Sequence, residues 1–176
     1  MVIKKKAIFL DRDGVLNKPK IIKGKSYAPL KVNDFKLYPN VKKLCKKLKN
    51  KKYLLIVITN QPDIKRGKIS VNSLNAMHKK LYKSINYDGI YYCSAISKKS
   101  KFKKPNVGMF KKAIKEHRID LPQSYMIGDR YTDIESAKKI KCKSIFIDRK
   151  YKEKIPRTQI ITVKSFSQAA KYILNV

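Results

Sequence analysis

Hydrophobic and polar positions along the chain fall into two alternating rhythms. Short apolar runs bounded by turn residues read as strands, and stretches with an apolar residue every third or fourth position read as amphipathic helices. KAIFL (6–10), YLLIVIT (53–59) and GIYYCS (89–94) predict three strands, the second apolar on both faces. SYMIG (124–128), SIFID (144–148) and QIITV (159–163) predict three more. Between them, 39–50 reads as a helix with Val41, Leu44, Cys45 and Leu48 on one face and Pro39 at its start. Residues 70–84 form a second helix capped by Ser70, and 107–117 and 132–140 two further ones. The last, 165–174, opens with Ser165 and Gln168 at capping-box spacing.

Strands that alternate with helices imply a parallel sheet with crossover connections, right-handed as such crossovers are. The expected architecture is α/β: a single doubly wound, Rossmann-like parallel sheet over residues 1–176 with helices on both faces. No internal repeat, low-complexity stretch or linker divides it. In such folds ligands bind beyond the carboxyl ends of the strands, where strand order reverses. Asp11, Thr59, Ser94 and Asp129 all fall just after predicted strands, so distant loops are expected to meet on one rim. About 28 residues separate the first strand from its helix and about 13 the third from its own, too few for a large cap domain. Residues 18–33 have room for a small flap, and the site is expected to be open.

Composition narrows the class. With 43% hydrophobic and 10% aromatic residues in 176, the chain can bury a core. No run approaches the ~18 apolar residues of a membrane span, and the apolar part of the basic N-terminus is shorter than a signal peptide needs. A soluble, cytoplasmic protein with no membrane partner is expected, a monomer by default. Cys45, Cys93 and Cys142 are odd in number and far apart, which gives neither a disulfide framework nor a metal knuckle. His78 and His117 lie on lysine-rich helical stretches and read as solvated or packing residues. The net charge of +32 suits an anionic ligand. Of the 44 basic residues only six are arginines, the side chain that recognises phosphate and base edges bidentately. The lysines are spread along the whole chain, so nucleic acid is a partner the composition permits without favouring it.

The 12 acidic residues say more, because four of them sit in two clusters, Asp11 with Asp13 and Asp129 with Asp133. Carboxylates converging on one rim repel each other unless a cation joins them, and Mg²⁺ takes oxygen ligands from one or two carboxylates plus substrate phosphate. One carboxylate can attack phosphorus while its neighbour moves the proton. Thr59 in TNQPD (59–63) and Lys104 in KKPNVGM offer a hydroxyl and a cation for the transferring group, Lys104 just before a helix start.

In order and spacing, DRDGVLN, TNQPDIKRG, KKPNVGMF and GDRYTDIESA resemble the four motifs of haloacid-dehalogenase-superfamily phosphatases. The stretch KSYAPLKVNDFKLYPNV is similar to the small branch that holds the D-glycero-D-manno-heptose 1,7-bisphosphate and histidinol phosphatases. The resemblance implies a haloacid-dehalogenase-like fold with Asp11 as nucleophile, Asp13 as general acid and base, and Thr59 and Lys104 stabilising the phosphoryl group. It implies Mg²⁺ at Asp11, the Asp13 backbone carbonyl and Asp129, with Asp133 orienting Lys104 or the metal's surroundings. Arg12, Asn17, Asn60, Gln61, Lys103 and Arg130 fall where substrate is contacted. That branch usually carries a zinc loop of Cys-x-His and Cys-x-Cys; Cys93 is kept here, but Ala95, Ser100 and Phe102 take the other ligand positions, so no structural zinc is expected. Lys103 stands where the branch has an arginine. The resulting expectation is a Mg²⁺-dependent phosphomonoesterase acting on a small phosphorylated metabolite, a sugar bisphosphate in heptose or surface-polysaccharide synthesis. The alternatives are a nucleic-acid 3′-phosphatase and a non-catalytic basic binding protein on the same scaffold.

Overall fold

Strand β1 (Ala7–Leu10) lies at the centre of the molecule, and its alternating side chains face two separate apolar layers. Ile8 and Leu10 join one layer, Ala7 and Phe9 the other, all four at zero exposure. This computed structural model describes residues 3–175. The sheet adds β4 (Leu54–Asn60), β5 (Gly89–Cys93), β6 (Tyr125–Gly128), β7 (Lys143–Ile147) and β8 (Ile161–Val163). The strands run parallel in the order β5-β4-β1-β6-β7-β8. β4 repeats the logic of β1: Leu55 and Val57 face one layer, Ile56 and Ile58 the other.

Helices α1 (Val41–Asn50), α3 (Val71–Ile85) and α6 (Phe166–Asn175) cover the first layer, inserting Leu44, Leu48, Met77, Leu81, Phe166 and Ala170. α4 (Gly108–His117) and α5 (Tyr131–Lys139) cover the second, where Phe110 meets Phe9 edge-on at 5.2 Å between ring centres. The doubly wound α/β expectation therefore holds. Because β1 has β4 on one side and β6 on the other, chain order reverses at its carboxyl end, which opens a crevice there.

Local chemistry sets the boundaries. Ser70 Oγ accepts from Ser73 N at 3.0 Å and starts α3. Ser165 Oγ accepts from Gln168 N at 3.2 Å, while Gln168 Oε1 accepts from Lys164 N, one residue before the cap, at 2.7 Å. α1 begins two residues after Pro39, because Asn40 takes a left-handed conformation (φ 64°) that no helical turn accommodates. Short α2 (Pro62–Lys65), with Pro62 in its first turn, has too few residues to show a period. Within the 18–33 segment, β2 (Lys20–Ile22) and β3 (Lys25–Tyr27) pair as an antiparallel hairpin beside the crevice. No helix among the described residues is long and apolar enough to cross a membrane.

Candidate active site

Two chain segments bring carboxylates to the crevice: the β1 end supplies Asp11 and Asp13, and the β6–α5 junction supplies Asp129 just after the strand and Asp133 in the first turn of the helix. Gly128 makes the last approach possible, since a Cβ there would lie 2.2 Å from Asp133 Cβ. Asp133 Oδ2 also accepts from Arg130 N at 3.1 Å, satisfying a free amide at the helix start. Oxygens of Asp11, Asp129 and Asp133 all lie within 4.8 Å of one another, and all three residues are buried.

One ammonium pairs with two of these three carboxylates. Lys104 Nζ donates to Asp11 Oδ1 and to Ile58 O, each at 2.8 Å, and lies 2.6 Å from Asp133 Oδ1. Burial works against the charge on Lys104, but Asp11 and Asp133 outweigh it and hold the lysine above its ordinary pKa. Burial pushes Asp11 up to about 6, Lys104 pulling it back and Asp133 and Asp13 raising it further. Burial and then the Asp11 and Asp133 charges raise Asp129 well above the usual carboxylate range. Asp129 Oδ2 accepts from Tyr151 OH at 2.8 Å, and Oδ1 is buried with no partner. Three carboxylates against one ammonium leave two negative charges and an orphan oxygen, which suits one hard divalent cation such as Mg²⁺.

Asp13 is held differently. The Arg12 guanidinium lies against its carboxylate with Nη2 2.9 Å from Oδ2, Asn17 Nδ2 donates to Oδ1 at 2.9 Å, and Gln61 Nε2 to Oδ2 at 2.7 Å. Arg12 and Asn17 are 0% exposed and Gln61 1%, so these three sit behind Asp13, away from the crevice wall. Gln61 Nε2 also reaches Thr59 Oγ1 at 2.9 Å, tying the β4 end to the β1 loop. Asn60 clamps the backbone of Lys104 reciprocally: its Nδ2 donates to Lys104 O at 3.2 Å and its Oδ1 accepts from Lys104 N at 3.0 Å.

The crevice is a cleft of about 510 Å³ with Asp11, Asp13, Thr59 and Lys104 at its floor. Lys25 of the hairpin, Arg66, Lys98, Lys103 and Arg130 line its walls, a cationic rim around an acidic floor. Lys103 Nζ donates to Ile96 O, and burial followed by the Arg66 charge lowers its pKa. Arg130 is engaged by Glu153, Nε to Oε2 at 3.0 Å and Nη2 to Oε1 at 2.6 Å. In the 93–106 loop, Cys93 Sγ lies 3.8 Å from Ser100 Oγ, and Asn106 Nδ2 donates to Lys98 O and Ser100 O. Among the described residues Cys45, Cys93 and Cys142 are free and buried.

The structure thus gathers Asp11, Asp13, Thr59, Asn60, Lys103, Lys104 and Arg130 around one cleft, with Asp129 buried beside Asp11 and Asp133. Sequence reasoning missed Tyr151, Glu153, Arg66 and Lys25. Tyr151 is one of 11 tyrosines in a segment without period or motif, so no signal could single it out.

Comparison with known proteins bears on this geometry. Residues 6–158 match the family described as polynucleotide kinase 3 phosphatase. D-glycero-beta-D-manno-heptose-1,7-bisphosphate 7-phosphatase of Haemophilus ducreyi is 38% identical over 146 residues, 76% of this chain and 77% of that protein. The protein of the same name in Helicobacter pylori (strain ATCC 700392 / 26695) is 37% identical over 146 residues, 79% of this chain and 81% of its own. Among solved structures, D,D-heptose 1.7-bisphosphate phosphatase from B. bronchiseptica, complexed with magnesium and phosphate, superposes with a TM-score of 0.84. It is 22% identical, and the match covers 97% of this chain and 98% of that one.

Proposed function

Because this chain belongs to the polynucleotide kinase 3 phosphatase family of haloacid-dehalogenase-like phosphoric monoester hydrolases, we propose a Mg²⁺-dependent reaction through an aspartyl-phosphate on Asp11. The substrate we assign is a sugar bisphosphate, D-glycero-D-manno-heptose 1,7-bisphosphate, losing its 7-phosphate. One observation carries the reading: three buried carboxylates converge on one another, two of them paired with a single lysine, at a cleft rimmed by cations.

In the first step an Asp11 oxygen attacks phosphorus, the bond to the sugar oxygen breaks, and Asp13 gives that oxygen a proton. In the second, Asp13 takes a proton from water, the water oxygen attacks phosphorus, and phosphate leaves with Asp11 restored. Arg12, Asn17 and Gln61 fix the Asp13 carboxylate, so their role in this reading is to aim the proton donor rather than to touch substrate. Thr59 and Lys104 supply donors to the phosphoryl oxygens, and Asn60 sets the register of Lys104. Asp11, Asp129 and the Asp13 backbone carbonyl would hold Mg²⁺, with Asp133 holding Lys104 beside it. When bound, the ion neutralises charge on the transferring group and lets the carboxylates stay ionised. The rim of Lys25, Arg66, Lys98 and Lys103 suits a substrate with a second anionic group, and the curated relatives carry the name of a heptose bisphosphatase.

The family's description and the +32 charge favour one second reading, hydrolysis of 3′-phosphate from nucleic acid. Purified protein with Mg²⁺ is to be assayed for phosphate release from heptose 1,7-bisphosphate, histidinol phosphate and a 3′-phosphorylated oligonucleotide over a range of salt. The first reading expects the sugar bisphosphate to lead in kcat/KM and Asp11→Asn to abolish turnover. A preferred oligonucleotide whose turnover falls steeply with salt would replace it. No release from any of the three would refute both.

A further inference from the structure

The segment after β7, residues 148–156, runs beside the cleft as a strap with Glu153 on the cleft wall, and its moorings surround one residue. Arg149 Nε donates to Gly14 O at 2.9 Å, and its guanidinium stacks over the Tyr38 ring at 4.1 Å. Lys152 N donates to Gly24 O in the hairpin turn at 2.9 Å. Glu153 pairs with Arg130 through both oxygens. Tyr151 stands between these anchors, and its hydroxyl donates to Asp129 Oδ2 at 2.8 Å.

We propose that Tyr151 is a positioning residue for the divalent cation: by holding Asp129 Oδ2 it turns the partnerless Oδ1 toward Asp11. A carboxylate's terminal torsion is broad and two-fold, so Asp129 alone does not choose which oxygen faces the cluster. One hydrogen bond on Oδ2 makes that choice, and Tyr151 OH is the side-chain donor placed to make it. Gly14 packs alongside the bond, where a Cβ would lie 1.7 Å from Asp129 Oδ2 and 2.9 Å from Tyr151 OH, so the pair has no slack. Partners that orient a ligand in this way typically govern its metal affinity by about 10–100-fold. The inference rests on the Mg²⁺ reading above and adds a residue that carries no charge and lies outside the four motifs.

The test is calorimetric titration of MgCl₂ into substrate-free protein, wild type against Tyr151→Phe, which keeps the ring and deletes the donor. Tyr91→Phe serves as control, because that hydroxyl also donates to a carboxylate, Glu116, but on the far edge of the sheet. Tyr151→Phe is expected to weaken Mg²⁺ binding about 10-fold or more. Its kcat should return toward wild type as Mg²⁺ is raised, with KM for substrate unchanged, whereas Tyr91→Phe should bind as wild type. Equal Mg²⁺ affinity in Tyr151→Phe and wild type overturns the role of Tyr151 and leaves the Mg²⁺ reading standing. Failure of the wild type itself to bind overturns both. Should Tyr151→Phe not fold, Arg149→Gln loosens the strap and keeps the tyrosine; a loss of Mg²⁺ affinity supports the inference, and none overturns it.

Discussion

Replacing Gly14 by alanine should damage the site by a mechanism that a second glycine can isolate. Gly14 has φ +97°, where an L residue costs about 1–2 kcal/mol. Its new Cβ would also lie 1.7 Å from Asp129 Oδ2 and 2.5 Å from Asp129 Cγ. Relief requires the carboxylate to withdraw by about 1.7 Å or more to reach ordinary van der Waals distance. That breaks the Tyr151 bond to a charged acceptor, about 1.5–3 kcal/mol more. Gly67 has φ +69°, and a methyl added there would meet nothing within 4 Å, so Gly67→Ala carries only the backbone cost. Urea unfolding should therefore show a loss of about 2.5–5 kcal/mol for Gly14→Ala against about 1–2 for Gly67→Ala. Phosphatase activity should fall about 100-fold or more in the first, since misplacement by about 1 Å costs that much, and little in the second. Equal stability losses in the two variants, with activity retained in Gly14→Ala, would refute the account of Gly14 as the space Asp129 occupies.

Three further outcomes follow from the buried charges. Asp11 is raised from 3.8 to about 6, so its protonation stabilises the metal-free fold as pH falls through 6, and that contribution is lost as pH rises. At pH 7.5 in EDTA, Asp11→Asn should be more stable than wild type by about 2–3 kcal/mol and melt several degrees higher, the gap closing when Mg²⁺ is added; scanning calorimetry that finds the variant less stable in EDTA contradicts this. Lys104→Met leaves Asp11 and Asp133 buried without a cation, which should cost about 3–5 kcal/mol in urea unfolding, and a loss under about 1 kcal/mol would show that the lysine does not balance them. His78 is lowered from 6.5 to about 4 by burial and then by the Arg12 charge, with Asp13 opposing. The unfolded chain then binds the proton more readily, and stability should fall by up to about 3 kcal/mol from pH 6.5 to 4; His78→Leu should flatten that dependence in pH-resolved melting.

How much of this was readable in the sequence differs by element. β1 and β4 were plain because a parallel strand buried on both faces is apolar at every position, and AIFL and LLIVIT leave no other placement. β8 is shorter than QIITV suggests, since it is an edge strand paired on one side and Gln159 and Ile160 fall outside the ladder. Asp11, Thr59, Lys104 and Asp129 were legible as residues at strand ends or in quoted motifs, and the fold brings them together because all six strands of the central sheet point the same way. The support around them was not. Arg12, expected among the substrate contacts, is instead fully buried, because its guanidinium spans the Asp13 carboxylate. Glu153 and Tyr151 lie in a strap whose path is set by hydrogen bonds to the hairpin and to Gly14, and nothing local encodes a partner so far away in sequence.

The placement of Asp11 at the end of β1 has a consequence for turnover. This strand is flanked on both edges and covered on both faces, so the atom proposed to be phosphorylated sits on the least deformable part of the molecule. Whatever yielding is needed to admit a sugar and discharge phosphate must come from the mouth, from a hairpin and a strap stitched together by single hydrogen bonds. Reaction and traffic are in this way assigned to different materials, a stiff anvil and a soft collar, and exchange of the collar can change what is struck without recasting the anvil.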